Sequence, residues 1–399
     1  MKIAIVGFDD LEEIHHSNTT LVLRGRRSSD GQRVVIKTTG DRRPSSPRIA
    51  SFVRERRLID KAQGDRVVRL LGSFEHEGAP ALVLEDFGGV SLDRVSSELS
   101  LLDRLKLASD IARAIEAVHG RGVIHKDINP SNLVWNRETS TLKIVDFGLA
   151  TDLTREAPSR LGGGLAEGTI RYIAPEQTGR MSCSIDRRSD LYSLGATLYE
   201  LLSGTAPFEG DDPLELVHAH VARQPMPLCE RDDRIPAVVS AIVMRLLEKA
   251  PERRYQTAGG VLADLERSVR DLDAAGQICS FELGGRDRSG VIEVPQTLYG
   301  RSRDVSALVD AFARAAEGGR ELVLVSGSPG TGKTSLVREV YMPVAASGGD
   351  LLEGKFDQFR LGVPYAPLGH AFGRFFRRVL TLEDGGMRAW REKIAAAVG

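Results

Sequence analysis

The stretch His125-Lys126-Asp127-Ile128-Asn129-Pro130-Ser131-Asn132 decides how this chain is read, together with Asp146-Phe147-Gly148, which begins 14 residues after Asn132. The first string gathers an imidazole, an ammonium, a carboxylate and two amides within eight positions, and the second sets a carboxylate two places before a glycine. Either string alone is a weak signal, because solvated loops of this composition are common and a three-residue string recurs by chance. The frame around them gives them weight. Residues 133–135 and 142–145 are short β-type runs between the two strings. Before them, residues 101–119 carry Leu102, Leu105, Ala108, Ile111, Ala112 and Ile115 at helical spacing, an amphipathic stripe.

Further upstream the pattern is extended. Residues 21–23 and 33–37 are β-type runs around the turn signal Ser28-Ser29-Asp30-Gly31, which reads as a hairpin. Residues 48–62 place Ile49, Phe52, Val53 and Leu58 at helical spacing, and residues 67–74 and 81–87 read as two more strands. A small sheet carrying one helix accounts for this part, and after Gly88-Gly89 the character turns helical. Residues 151–168 are Gly-rich and poorly periodic, as in a surface loop. Helices are expected at 191–202, 214–222, 237–248 and 261–272. The polar, turn-prone residues 277–295 read as a linker, followed by a helix at 298–316, a buried strand at 321–325 and a helix at 334–341.

On these residues the chain resembles the protein kinases over about positions 9–272. The resemblance implies an α+β, two-lobed protein-kinase fold, followed by the start of an α/β P-loop NTPase domain. Phosphoryl transfer from ATP needs a carboxylate to take the hydroxyl proton, ligands for Mg2+ and a cation on the phosphates. The resemblance assigns these roles to Asp127, to Asn132 and Asp146, and to Lys37. Lys37 ends the strand Val34-Val35-Ile36-Lys37, and Glu55, 18 residues on, is its expected ion-pair partner. Gly168-Thr169, Ala174-Pro175-Glu176, the helix opening at Asp190 and Arg254 in Pro251-Glu252-Arg253-Arg254 extend the likeness. Glu176 and Arg254 are expected to pair, and Asp190 to brace the catalytic loop. Glu85-Asp86-Phe87 would be the hinge behind a gatekeeper Leu84, so Val22, Leu84, Glu85 and Phe87 are the expected nucleotide contacts. Thr169 favours Ser/Thr acceptors, and Ser131 stands where arginine-directed kinases carry glutamate.

Three departures bear on activity. Before Val22, where the family has a Gly-rich phosphate loop, the chain reads His15-His16-Ser17-Asn18-Thr19-Thr20, without the glycines that let amides approach phosphate closely. Asn129 stands where Ser/Thr kinases usually carry a lysine on the transferred phosphate, and losing one such donor costs about 3–4 kcal/mol, a hundredfold or more in rate. Lys126 replaces the usual arginine and cannot grip an activation-loop phosphate bidentately, although Thr154, Ser159 and Thr169 offer hydroxyls.

A second site follows. Gly327-Ser328-Pro329-Gly330-Thr331-Gly332-Lys333-Thr334 fits the phosphate-binding loop between a strand and a helix, with Gly327, Gly330 and Gly332 bringing amides inward. In that pattern Lys333 reaches the terminal phosphates and Thr334 ligates Mg2+, at a helix start whose dipole favours anions. Tyr299-Gly300-Arg301 resembles the entry of AAA/STAND-type signalling ATPases. Between Lys333 and Gly399 no apolar strand ends in paired acidic residues, so hydrolysis is not expected to be completed within this stretch, which looks like the amino-terminal piece of a longer polypeptide. Adding Pro175-Glu176-Gln177-Thr178-Gly179-Arg180-Met181 and Gly354-Lys355-Phe356-Asp357-Gln358, the chain resembles large bacterial signalling proteins. In those a Ser/Thr kinase-like domain precedes a P-loop ATPase and often a sensory domain and a histidine kinase.

The 399 residues therefore divide into an N-lobe (1–88), a C-lobe (89–275), a linker (276–297) and an incomplete P-loop ATPase domain (298–399). Composition agrees: 41% hydrophobic and 27% charged residues suit globular domains. A net charge of −1 provides no global field for nucleic acid or an anionic membrane. No run is long enough for a membrane span or a signal peptide, and three scattered cysteines fit a reducing cytoplasm. His218 and His220, two apart on a helix, do not share a face as metal ligands would, and Arg54, Arg56 and Arg57 read as a solvated helix face. Trp135 and Trp390 are too few for a nucleic-acid stacking platform. The expected partners are a protein substrate with a Ser/Thr acceptor and further domains of the same polypeptide. The alternatives are a pseudokinase-like regulatory module controlling a downstream ATPase or histidine kinase, and a chain whose P-loop is its single working nucleotide site.

Overall fold

The computed structural model describes residues 5–287 apart from 18–19, 42–43, 96–98, 153–169 and 179–183, then 300–328, 331–347 and scattered positions beyond. Thr154, Ser159, Gly168, Thr169, Gly179, Arg180, Met181, Gly330 and residues 355–358 lie outside the described residues.

Strands β1 (Phe8–His16), β2 (Leu21–Arg27), β3 (Arg33–Thr38), β4 (Leu70–His76) and β5 (Ala79–Glu85) form an antiparallel five-stranded sheet in the order β1-β2-β3-β5-β4. Leu23, Val34, Ile36, Ala81 and Val83 bury one face of it. Helix α1 (Ser46–Ala62) covers the other face with Phe52, Leu58, Ile59 and Ala62. Glu55 falls three places after Phe52 and four before Ile59, so the period that buries the apolar stripe also buries this carboxylate. The boundaries of β4 and β5 fall two or three residues from those expected. Strand β1 was not anticipated at all: its apolar residues Phe8, Leu11 and Ile14 recur every third position. Register shifts between Asp9 and Glu12 and between Glu13 and His15 insert the extra residues that break the period of two.

The short β6 (Val90–Ser91) leads into α2 (Leu101–Gly120), capped by Ser100, whose hydroxyl oxygen accepts from the Asp103 amide. Strands β7 (Val123–Ile124), β8 (Leu133–Asn136), β9 (Thr141–Ile144) and β10 (Thr151–Asp152) follow, and the deciding loop lies between β7 and β8. Helices α3 (Arg187–Ser203), α4 (Pro213–Ala222), α5 (Leu228–Arg231), α6 (Ala237–Leu246) and α7 (Ala258–Ala275) complete a helical lobe. α3 is buried along most of its length, and Gly195 lets it approach α6 so closely that an added Cβ would lie 2.7 Å from Leu246 Cβ.

Residues 277–287 are not a free linker. Ile278, Phe281 and Leu283 pack on the helical core, and Phe281 lies under the Arg267 guanidinium at 4.2 Å. The Asp287 side chain, 3% exposed, accepts from the Gln256 and Thr257 amides at 2.8 and 2.9 Å and so helps cap α7. Polar composition concealed this because the carboxylate is satisfied by a helix start more than 25 residues earlier in the chain.

Beyond lie α8 (Ser302–Ala316), α9 (Lys333–Arg338) and α10 (Tyr341–Ala346). The expected strand at 321–325 is a correction: residues 321–328 form no regular element, and Leu322 and Leu324 are 84% and 86% exposed. A strand of this composition needs hydrogen-bonded neighbours on both sides, and among the described residues none pairs with it. No described helix is long and apolar enough to cross a membrane.

Candidate active site

Lys37, on β3 opposite Val22 and Leu82, points beneath the sheet and is 6% exposed. Its ammonium donates to Glu55 Oε1 and to Asp146 Oδ1, both at 2.7 Å. Burial alone would lower the pKa of this lysine, but Asp146 and Glu55 together outweigh it and hold the ammonium above its ordinary value. Burial raises the pKa of Glu55 despite the lysine. The Asp146 carboxylate, 41% exposed along its side chain, is held below its usual range by Lys37 against the opposing effect of desolvation. Asp146 sits at φ +61, which lets its Oδ1 also accept from the Gly148 amide at 3.0 Å.

The loop carrying Asp127 is fixed from below. Asp190, fully buried at the start of α3, accepts from the His125 and Lys126 amides at 2.8 and 2.7 Å and contacts His119 Nε2 at 2.8 Å. His125 sets its ring edge on Phe147, centroids 4.9 Å apart, and its Nε2 meets the Val145 carbonyl at 3.1 Å. Glu176 and Arg254 form the expected pair, bidentate at 2.7 and 2.9 Å and buried, with the Ser189 hydroxyl donating to Glu176.

Asp127 accepts from Asn129 Nδ2 at Oδ1 and from Asn132 Nδ2 at Oδ2, each at 2.9 Å. Burial, then the Asp146 charge, push its carboxyl up to about 7 against these two donors. Asn129, expected from the sequence as the loss of a phosphate-contacting lysine, has its side chain turned to the loop itself. It is 5% exposed, its amide is spent on Asp127, and its carbonyl oxygen accepts from the Ser131 and Asn132 amides at 3.0 and 3.2 Å. With Asn132 Nδ2 held by Asp127, the Asn132 side-chain oxygen and the exposed edge of Asp146 are the hard donors that Mg2+ prefers. The residues thus fit that ion.

At the hinge, Leu84 is buried at 6% and Val22 half-buried. The Glu85 side chain accepts from the Arg69 amide at 2.8 Å and from Lys143 Nζ, so an adenine contact here would come from the main chain. Lys143 also lies 5.3 Å from the Phe87 ring centre, and Asp86 is gripped by Arg24 and Arg33, each at 3.2 Å. Sequence reading missed these grips, and no local signal announces them: Lys143 and Glu85 are 58 positions apart. Where the family has a Gly-rich loop, the Ser17 amide donates to the Thr20 carbonyl at 2.9 Å.

The second site is looser. Lys333 Nζ donates to the carbonyls of Gly327 and Ser328, both at 2.8 Å, folding the lysine back over the loop, and Gly332 takes φ +79. Thr334 is exposed.

A cleft that clamps one ammonium between two carboxylates, beside a braced loop presenting a buried carboxylate, defines a phosphotransferase of the two-lobed kind. Residues 8–263 match the model of the protein kinase domain, and the chain belongs to that family. Residues 297–399 match the AAA ATPase domain. Among relatives, the chain is 33% identical to serine/threonine-protein kinase PknB of Mycobacterium tuberculosis, over 66% of this chain and 42% of that protein. It is 26% identical to hybrid signal transduction histidine kinase G of Dictyostelium discoideum, over 74% of this chain and 11% of that protein. A probable serine/threonine-protein kinase of Clostridium perfringens is 28% identical over 66% of this chain and 38% of its own length. The chain thus spans less than half the length of the relatives it matches. Both domain families imply nucleotide binding.

Proposed function

We propose that this chain is an ATP- and Mg2+-dependent Ser/Thr protein kinase of bacterial signal transduction, acting in the cytoplasm, with a second ATP-binding site at the P-loop. The kinase unit comprises an N-lobe to about residue 88 and a C-lobe that we extend through the docked segment to residue 287. Asp127 takes the proton of the attacking hydroxyl. Asn132 and Asp146 hold Mg2+, which when bound supplies charge neutralisation at the phosphates. Lys37, fixed by Glu55, orients the nucleotide, with Val22, Leu84 and the main chain of Glu85 and Phe87 around the adenine. Asn129 positions the base. Gly327, Gly330, Gly332, Lys333 and Thr334 would hold the second triphosphate and its Mg2+. The chain's matches to much longer multidomain relatives support further domains of the same polypeptide as partners.

The observation that carries the reading is the Lys37 ammonium held at 2.7 Å by both Glu55 and Asp146. The test is transfer of label from ATP, with magnesium, to a generic Ser/Thr acceptor protein by the full chain, compared with Asp127→Asn. Incorporation should fall by about a hundredfold or more in the variant. Equal incorporation by both, or none by either, would leave a regulatory module in place of an enzyme.

A further inference from the structure

Behind the hinge, on the face of the C-lobe built by α2, α7 and the β8–β9 hairpin, lies a cleft of about 700 Å³. Its floor is apolar, formed by Leu107 of α2, Trp135 of β8 and Val269 of α7. Across Trp135 and Arg137 it continues into a second depression of about 850 Å³ that runs to Phe87. The result is a groove, longer than a small molecule needs.

The charges on its walls are unevenly satisfied. Two carboxylates are already paired, Asp110 with Arg66 and Arg113 at 3.2 and 2.7 Å and Glu266 with Arg113 at 2.7 Å, while the exposed Asp103 accepts from the neutral Ser100 hydroxyl at 2.6 Å. Lys106, Arg137 and Arg270 stand exposed on the rim with no hydrogen bond or ion pair among the described residues. Glu138, at the far end of the second depression, and Asp103 are the carboxylates that remain exposed against them. The positive excess is small, six cations to five carboxylates over the two depressions, and local, since the whole chain carries −1. Cations around a half-buried tryptophan are the composition from which protein–protein hot spots are drawn.

We propose that this groove docks an acidic, amphipathic peptide segment of the protein substrate, its apolar side chains on Leu107, Trp135 and Val269 and its carboxylates on Lys106, Arg137 and Arg270. A purely ionic ligand would leave the tryptophan floor unused, and a purely apolar one would desolvate three unpaired cations. The assignment to a substrate rests on the kinase reading and fits the chain path: β8, which carries Trp135, begins at Leu133, directly after Asn132.

Trp390→Phe leaves Trp135 as the single tryptophan, so its emission reports occupancy directly. The full chain with that change is titrated with a synthetic peptide of about 12 residues built from Leu-Glu-Glu repeats, and with the same peptide carrying lysine for glutamate. The acidic peptide should shift Trp135 emission saturably, with a Kd in the range of about 10–100 μM that weakens as salt rises. Lys106→Glu combined with Arg270→Glu, and separately Arg137→Glu, should weaken it about tenfold or more while the melting temperature stays unchanged. No saturable shift, equal binding of the lysine peptide, equal displacement by polyphosphate, or unchanged affinity in the reversed variants would each overturn the docking surface. In a second arm, an acceptor bearing the acidic segment should show a KM at least about fivefold lower than the bare acceptor, with kcat unchanged and the gain absent in Arg137→Glu. Binding without that gain would overturn the substrate assignment. If no phosphorylation occurs at all, the kinase reading fails and the fluorescence arm still decides the groove.

Discussion

Asn129 shows how one side chain changes meaning between sequence and fold. As a missing lysine it predicts a lost phosphate contact; in place, it joins Asp127, the proposed base, to the turn that carries Asn132. Asn129→Ala should therefore lower kcat about tenfold, through loss of a hydrogen bond worth about 1–1.5 kcal/mol, and leave the KM for ATP nearly unchanged. Steady-state kinetics at saturating acceptor check this. Installing the lysine common to the family should slow the reaction as well, because the cap on the Ser131 and Asn132 amides is lost. Lys249 makes a different point. It is 8% exposed, donates to Tyr192 Oη at 3.2 Å and lies 4.8 Å from the Phe208 ring centre, with no ion pair among the described residues and the neighbouring Glu248 charge too weak to offset its burial. Burial, then the Arg254 charge, bring its ammonium down to about 7. His220, which faces the same tyrosine, is held to about 3 by burial and stays neutral. The unfolded chain therefore binds a proton at position 249 that the fold releases, so this residue's contribution to stability rises as pH climbs from about 7 towards 10.5. The melting temperature of the natural protein should gain on that of Lys249→Met over this window.

Among the elements, what could be read from sequence follows how locally each signal is written. α2 and α7 declare themselves by helical periodicity and α3, buried on nearly all sides, by its apolar content, while Asp127, Asn132 and Asp146 stand out in sequence because contiguous strings carry them. β1 was hidden by its bulges, and the exposed run at 321–325 looked like a strand because apolar composition says nothing about whether neighbours exist. The segment at 277–287 was misread because its anchors, Phe281 under Arg267 and Asp287 on the start of α7, are long-range. Ending the kinase unit at residue 275 should lower its melting temperature by several degrees relative to an end at 288, and Asp287→Ala should cost about 1–2 kcal/mol by urea denaturation.

For the molecule as a whole, two proposed nucleotide sites, held by unlike contacts, share one chain. The first is locked by buried ion pairs; in the second, Lys333 rests on carbonyls of its own loop. Fluorescent-ATP titration should show two classes of site in the natural chain and one class in each of Lys37→Ala and Lys333→Ala. A single class in the natural chain, abolished by Lys333→Ala alone, would mean that the cleft between the lobes takes no nucleotide. The bare run Leu322-Val323-Leu324 has its own consequence at this scale. No described residue pairs with its backbone, and such an edge beside outward-facing aliphatic groups is a template for intermolecular β-pairing. Concentrated stocks should become turbid by self-association through this run, and a single charge, Leu322→Lys, should keep them clear with phosphotransfer undiminished.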